Sequence, residues 1–252
     1  MIPRRIFAFW TGDNVMGPNR TKHLESMRAK SGCEVILITP DNLSEWIVPG
    51  KNDIYENFDH DIYNNLSLYH KADYLKAYFA YFHASGYSDI KNCNYDWEKY
   101  FEQLESAEDM EVIGYPESGG GVSQPKDAIA LKYKNADALS GQMQKNKDKI
   151  CGVCHYIFKE PKSKIATLWR KRQFDILDFH RDTILTNPAQ HYAHVAGKRI
   201  HGRHRGRNPV KITNKYPLGW ADLGGNSIHK IFYENKEITL RAMPGPVGGA
   251  RD

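Results

Sequence analysis

Asp89 is the side chain whose placement in the sequence points most directly to chemistry. It stands near the carboxyl end of a very short segment, Tyr87 to Ile90, which follows Ser85-Gly86 and a run of helix-spaced apolar residues. Open α/β sheets bind ligands in the crevice beyond the carboxyl ends of their strands. An acid there has no structural need beyond shaping a turn. Upstream, Asp73 and Lys76 lie one helical turn apart, and Lys91 follows Asp89 by two residues. Asp73 falls at the expected start of a helix, where a carboxylate commonly caps free N–H groups. A second charged feature occupies the carboxyl third. No Asp or Glu occurs between Asp182 and Asp222, whereas Lys198, Arg199, Arg203, Arg205, Arg207, Lys211 and Lys215 all fall in that interval. Such a surface suits phosphates or polyanions. Cys151-Gly152-Val153-Cys154-His155 fits the pattern for c-type haem attachment and for a redox pair. Haem attachment needs export, and the chain opens on no charged-then-apolar leader. With no further Cys pair to complete a zinc site, the pattern reads as a coincidence within a buried segment.

The elements that must position these groups follow from periodicity. Residues 4 to 10 form an apolar first strand ending at Trp10, with Thr11-Gly12-Asp13-Asn14 as its turn. Asn19 to Lys30 has helix composition and stops at Ser31-Gly32, and Glu34 to Thr39 is a continuous apolar run of the parallel-strand kind. Strand, helix and strand make a right-handed βαβ unit. Leu43 to Ile47 is expected as a short helix, and residues 49 to 65 as an irregular loop. From Ala72, apolar Leu75, Tyr78, Phe79 and Phe82 recur with helical spacing until Ser85-Gly86 breaks the run. Later segments read as a helix from 95 to 104, a strand from 112 to 115, a glycine-rich loop at 119–121, an apolar stretch from 128 to 133 and a surface helix from 136 to 149. The longest helix is expected over 165–184, ended by Asn187-Pro188. At 252 residues and 40% hydrophobic content the chain has the size and composition of one globular α/β domain. No run of about 20 apolar residues suggests a membrane span. The expectation is a cytoplasmic protein.

These residues resemble a known block. Glycosyltransferases of the capsular-polysaccharide-synthesis and DxD-sugar type, which have a GT-A fold, read Ser-Asp-x-x-Arg, a helix, then Gly-Gly-x-Tyr-x-Asp-x-Asp. Here Ala72-Asp73 falls on Ser-Asp, Lys76 on the Arg, Ala84-Ser85 on Gly-Gly, Tyr87 on the Tyr, Asp89 on the first acid and Lys91 on the second. The amino terminus, Ile2-Pro3-Arg4-Arg5-Ile6-Phe7-Ala8-Phe9-Trp10-Thr11-Gly12, resembles the same family's opening strand. The resemblance covers residues 2 to 91. It departs from the family at Lys76, which keeps the charge but not the bidentate fork of Arg, and at Lys91, a cation in place of an acid.

The resemblance implies a GT-A-like single domain over residues 1–243, with a Rossmann-like mixed sheet flanked by helices. Residues 1–115 would bind a nucleotide-sugar donor, and 116–243 would shape the glycan acceptor site with a basic lid. Residues 244–252 would form a flexible tail. Phe9, Trp10, Thr11 and Gly12 would lie beside the nucleotide base, and Asp73 near the ribose and sugar. Lys76 and Lys91 would face the phosphates. Asp89 would be the catalytic-centre residue, holding Mn²⁺ or Mg²⁺ or orienting the donor. Such ions want hard oxygen ligands, so the alternative is that the Lys91 ammonium substitutes for the metal. Arg203 and Arg205, within His201 to Arg207, would close over the diphosphate; a phosphate-tracking arm and a plain solvated loop are the other readings. Glu117 and Asp222 are candidate general bases. Two other function classes remain: a non-catalytic sugar- or nucleotide-binding module, and a nucleic-acid binder built on the basic third. With the glycosyltransferase reading, no nucleic-acid partner is expected.

Overall fold

The computed structural model describes residues 1–50, 53–118, 122, 136–196 and 212–246, without the side chains of 136–138. Gly119–Gly121, the apolar stretch at 128–133, the basic run with Arg203 and Arg205, and residues 247–252 lie outside the described residues.

The first βαβ unit forms where its pattern placed it. Strand β1 (Arg5–Phe9) is followed by helix α1 (Pro18–Lys30) and strand β2 (Glu34–Ile38), which pairs parallel to β1 with Arg5 opposite Glu34 and Phe9 opposite Ile38. Pro18 suits the first turn of α1 because its missing N–H would have no partner there. Alternate residues of β1 serve two cores. Phe7 and Phe9 join one buried cluster, and Ile6 and Ala8 another. That period of two is what a strand covered on both faces requires.

The chain then crosses back over β1. A 3-10 turn at Leu43–Trp46 and helix α2 (His60–Asn65) lead into α3 (Leu68–Phe82), and β3 (Ser85–Ser88) pairs parallel to the free edge of β1. Helix α4 (Glu98–Ser106) precedes β4 (Val112–Pro116), and α5 (Ala136–Lys145) precedes β5 (Cys151–Phe158). Helices α6 (Lys164–Phe179), α7 (Arg181–Thr186) and α8 (Gly225–Glu234) come next, then β6 (Thr239–Arg241). The six strands lie in the order β2-β1-β3-β5-β4-β6; β5 is antiparallel to both neighbours and β6 parallel to β4. The expected α/β class is therefore present as a Rossmann-like mixed sheet with flanking helices. No helix among the described residues is long and apolar enough to cross a membrane.

Several local expectations give way. Helix α3 begins at Leu68, because Ser67 accepts the His70 N–H as its cap, so Asp73 sits inside the helix and caps nothing. The turn after α3 is made by Ala84 and Ser85, with φ of 51° and 68°, and Ser85 opens β3. Gly86 serves a different need: a Cβ there would lie 3.0 Å from the Arg5 carbonyl oxygen. Helix α2 falls inside the expected loop, capped by Asp59, whose side chain accepts the Ile62 N–H at 3.0 Å. The helix expected over 165–184 divides at His180 into α6 and α7. The Pro244 carbonyl, at the start of the expected tail, accepts a 2.8 Å hydrogen bond from His155 Nε2.

One buried cation ties these parts together. Arg170 of α6, 1% exposed, donates from Nε to the Tyr55 carbonyl and from Nη2 to the Asn57 carbonyl, both at 3.0 Å, and its Nη2 also reaches Tyr74 Oη at 2.9 Å. Gln173 of the same helix donates to the carbonyls of Asp73 and Leu223, each at 2.7 Å, so α3 and the segment before α8 are fixed relative to each other.

Candidate functional site

Three chain segments meet at the carboxyl end of the sheet. The strand order turns there: β2 lies on one side of β1 and β3 on the other. Open α/β sheets bind ligands at such a switch point. Asp89 lies one residue past β3, and its N–H donates to the Cys154 carbonyl of β5 at 2.7 Å. Its Oδ1 accepts the Tyr87 hydroxyl at 2.7 Å and faces Lys76 Nζ at 3.2 Å; its Oδ2 faces Lys91 Nζ at 3.4 Å. Lys76 also pairs with Asp73 Oδ1 at 3.0 Å, and its ammonium lies 5.2 Å from the Tyr87 ring centre. Lys91 Nζ approaches Cys154 Sγ at 3.0 Å.

Two carboxylates and two ammonium groups thus form a balanced, mostly buried cluster. Burial pushes the Asp89 carboxyl pKa up, but the Lys76 and Lys91 charges and the Tyr87 hydroxyl outweigh it and hold the group well below the ordinary range. Burial pulls Lys76 down, and Asp73 and Asp89 more than restore it. Lys91 is likewise raised despite burial, chiefly by Asp89 and then Cys154. Lys76, Asp89 and Lys91 therefore hold one another in their charged forms. Asp73 Oδ2 is buried and accepts no hydrogen bond, and a Cβ on Gly224 would stand 2.9 Å from it.

A divalent ion fits this donor set poorly. Both Asp89 oxygens already face ammonium groups, which fill the space where metal ligands and waters would stand and repel a second cation. Among the described residues no group of three His, Cys, Asp or Glu side chains could hold a metal.

The turn after β1 reaches the same place. Thr11 Oγ1 donates to the Leu68 carbonyl at 2.7 Å in the first turn of α3, and a Cβ on Gly12 would stand 2.8 Å from Leu68 Cδ1. Trp10 is half-buried, and its indole N–H donates to the Asn14 carbonyl at 2.8 Å. Phe9, expected beside a base, is instead a core ring against Phe79 and Tyr87, at 5.0 and 4.9 Å between centres. Strand alternation turns it away from the turn that carries Trp10.

No protein-family model, curated protein or solved structure matches this chain.

The two expected bases differ in their surroundings. Asp222 accepts the Gly219 N–H at 2.6 Å and the Asn226 side-chain N–H at 2.9 Å, so both its oxygens are spent on the loop before α8 and the first turn of that helix. Glu117 lies just past β4, 3.9 Å from His229 Nε2 of α8. Burial raises the Glu117 pKa, and burial lowers that of His229 to about 4. The residues not anticipated from the sequence are Tyr87 as an Asp89 hydrogen-bond donor, Cys154 as a Lys91 neighbour, and Tyr69. The Tyr69 ring stacks on Trp220 at 3.8 Å and 17°. Its phenol pKa is pushed far up, by burial first and then by the nearby Asp73 charge. Tyr69, Asp73 and Lys76 share one face of α3, so the place of Tyr69 follows from helical spacing once the helix is known to begin at Leu68.

Proposed function

We propose that this protein is a GT-A-like glycosyltransferase that moves a sugar from a nucleotide-sugar donor to a hydroxyl of a glycan, using ammonium groups where relatives of that type use a metal. One observation supports the reading most. Asp89 and both lysines converge beyond β3, at the switch point of the sheet, next to the Trp10–Gly12 turn. In this reading the nucleoside lies against Trp10 and the backbone of Thr11 and Gly12. Lys91, the more exposed of the two lysines, swings from Asp89 to the diphosphate and neutralises the charge that builds up as the glycosidic bond breaks. Lys76 stays buried between Asp73 and Asp89 and holds the Asp89 carboxylate ionised. The orphan Oδ2 of Asp73 accepts a donor-sugar hydroxyl.

The test is thermal stabilisation by a panel of nucleoside diphosphates and nucleotide sugars, with Mn²⁺ and with a chelator. Binding at a hundredfold excess over Kd raises the melting temperature by about 5 °C or more, equally in both conditions. No stabilisation by any nucleotide sinks the donor reading, and stabilisation that requires Mn²⁺ sinks the ammonium substitution.

The tight pinning of Asp89 also favours a second reading, a module that binds sugar nucleotides without turning them over. Release of free nucleoside diphosphate from a bound donor separates the two.

A further inference from the structure

Residues 189–196 close over the start of α3. The Ala189 N–H donates to the Asn65 carbonyl at 3.0 Å, the Tyr192 carbonyl accepts the Tyr69 N–H at 3.2 Å, and the Ala196 N–H donates to the Leu218 carbonyl at 2.7 Å. Between these ties the segment buries His194, 2% exposed, against the ring of the equally buried Tyr216, with 4.9 Å between centres. The same phenol meets His70 of α3, whose Nδ1 lies 2.9 Å from Tyr216 Oη and 3.0 Å from the hydroxyl of Ser67, the α3 cap. His194 Nδ1 accepts the Gln190 N–H at 3.2 Å. A proton on that nitrogen removes the acceptor, orphans the Gln190 N–H and leaves a charge buried beside Tyr216.

The titratable groups facing His194 are His191 of its own segment, His70 of α3 and the Tyr216 phenol; the carboxylates of Asp73 and Asp222 act on His70 instead. Burial, and then the two histidines, hold His194 below its ordinary 6.5. Folding therefore favours the neutral ring. That contribution is complete above pH 6.5 and is lost as the pH falls toward the folded pKa.

We propose that residues 189–196 form an acid-released latch, seated on Tyr216 and the first turn of α3 while His194 is neutral and let go when that ring takes a proton. Release frees the end of the helix that carries Asp73 and Lys76, so acid loosens the ion cluster from outside it. The latch does not depend on the glycosyltransferase reading.

The experiment follows amide hydrogen exchange of Tyr69, Gln190 and Ala196 by NMR between about pH 5 and about pH 8. Rates are corrected for the intrinsic effect of pH and compared between the wild type and His194→Asn. Asparagine offers an oxygen acceptor close to where Nδ1 stood but takes no proton. In the wild type, protection of the three amides should fall by up to about tenfold per pH unit below the ordinary histidine pKa, while the amides of β1 stay protected. In His194→Asn the protection, whatever its level, should not vary with pH. Constant protection in the wild type, the same slope in the variant, or loss of protection in β1 in step with the latch each overturns the inference. Should the variant not fold, the wild-type ring titration decides. A His194 pKa below 6.5 that coincides with the loss of protection supports the latch, and any other result overturns it.

Discussion

Replacing Lys76 by methionine tests the electrostatic account of the site without any substrate. The side chain is 6% exposed and lies 3.0 and 3.2 Å from Asp73 and Asp89. Methionine keeps most of the volume and removes the charge. Asp89 retains Lys91 and Tyr87, but Asp73 loses its ion pair. Breaking a buried pair by removing one partner costs about 3–5 kcal/mol, which at a urea slope near the top of the usual range lowers the denaturation midpoint by about 1 M or more. The pH dependence carries the sharper signature. In the wild type Asp89 has a depressed pKa, so its contribution is present above the unfolded carboxyl pKa and disappears as pH falls through the folded one. Without Lys76 the largest influence lowering the Asp89 pKa is gone, so the variant lacks part of the stability that Asp89 supplies above the unfolded carboxyl pKa. Its deficit is therefore largest at neutral pH and shrinks as the pH falls through the carboxyl range. Lys76→Met with Asp73→Asn should regain at least half of the loss. A deficit below about 1 kcal/mol, or one as large at about pH 3 as at about pH 7, refutes the view that Lys76 and Asp89 hold each other charged.

Further expectations concern function, packing and pH. Asp89→Asn should lower kcat about a hundredfold or more with an unchanged circular dichroism spectrum; equal turnover removes Asp89 from the mechanism. Lys91→Ala should weaken nucleoside diphosphate binding by about tenfold, with partial rescue by Mn²⁺, both read by calorimetry; an unaffected Kd counts against the ammonium role. Gly152→Ala should destabilise by about 1–3 kcal/mol or more, since a Cβ there would lie 2.0 Å from Tyr115 Cζ, and urea midpoints decide it. Burial lowers His155 to about 4 from 6.5. Its neutral form is thus favoured by folding, and this stability is complete above pH 6.5 and shrinks as pH falls toward 4, by about 3 kcal/mol in all. His155→Asn should flatten that limb of the urea titration, and an unchanged slope would show that another group titrates.

How far the sequence could be read depended on whether each signal was local. Strand β1 is buried on both faces and the half-buried edge strand β2 packs on both cores, so each reads as a plain apolar run, and the Leu75–Phe82 spacing identified α3. The start of α3 was missed by four residues because Ser67 was outweighed by the polar composition around it, and with it the true environment of Asp73. Strand β5 was not expected at all. Its first half, Cys151 to Cys154, mixes Gly and Cys, and what makes it a strand is pairing with β3 and β4, residues 67 to 73 and 35 to 46 away in the register pairs Ser88–His155, Ser85–Phe158, Pro116–Cys151 and Val112–Phe158. The meeting of Asp73, Lys76, Asp89 and Lys91 was foreshadowed by their spacing. Tyr69 and Trp220 were not, because 151 residues separate them and no periodicity links them.

The late arrival of β5 has a consequence for synthesis. When the first hundred or so residues have left the ribosome, β1, β2 and β3 can already pair, but the outer side of β3 still displays unbonded peptide groups. That side stays open until residues 151–158 emerge, several seconds later at ordinary elongation speeds. Nascent chains halted in this interval should cling to chaperones or to one another, and a chain released just past Phe158 should do so much less.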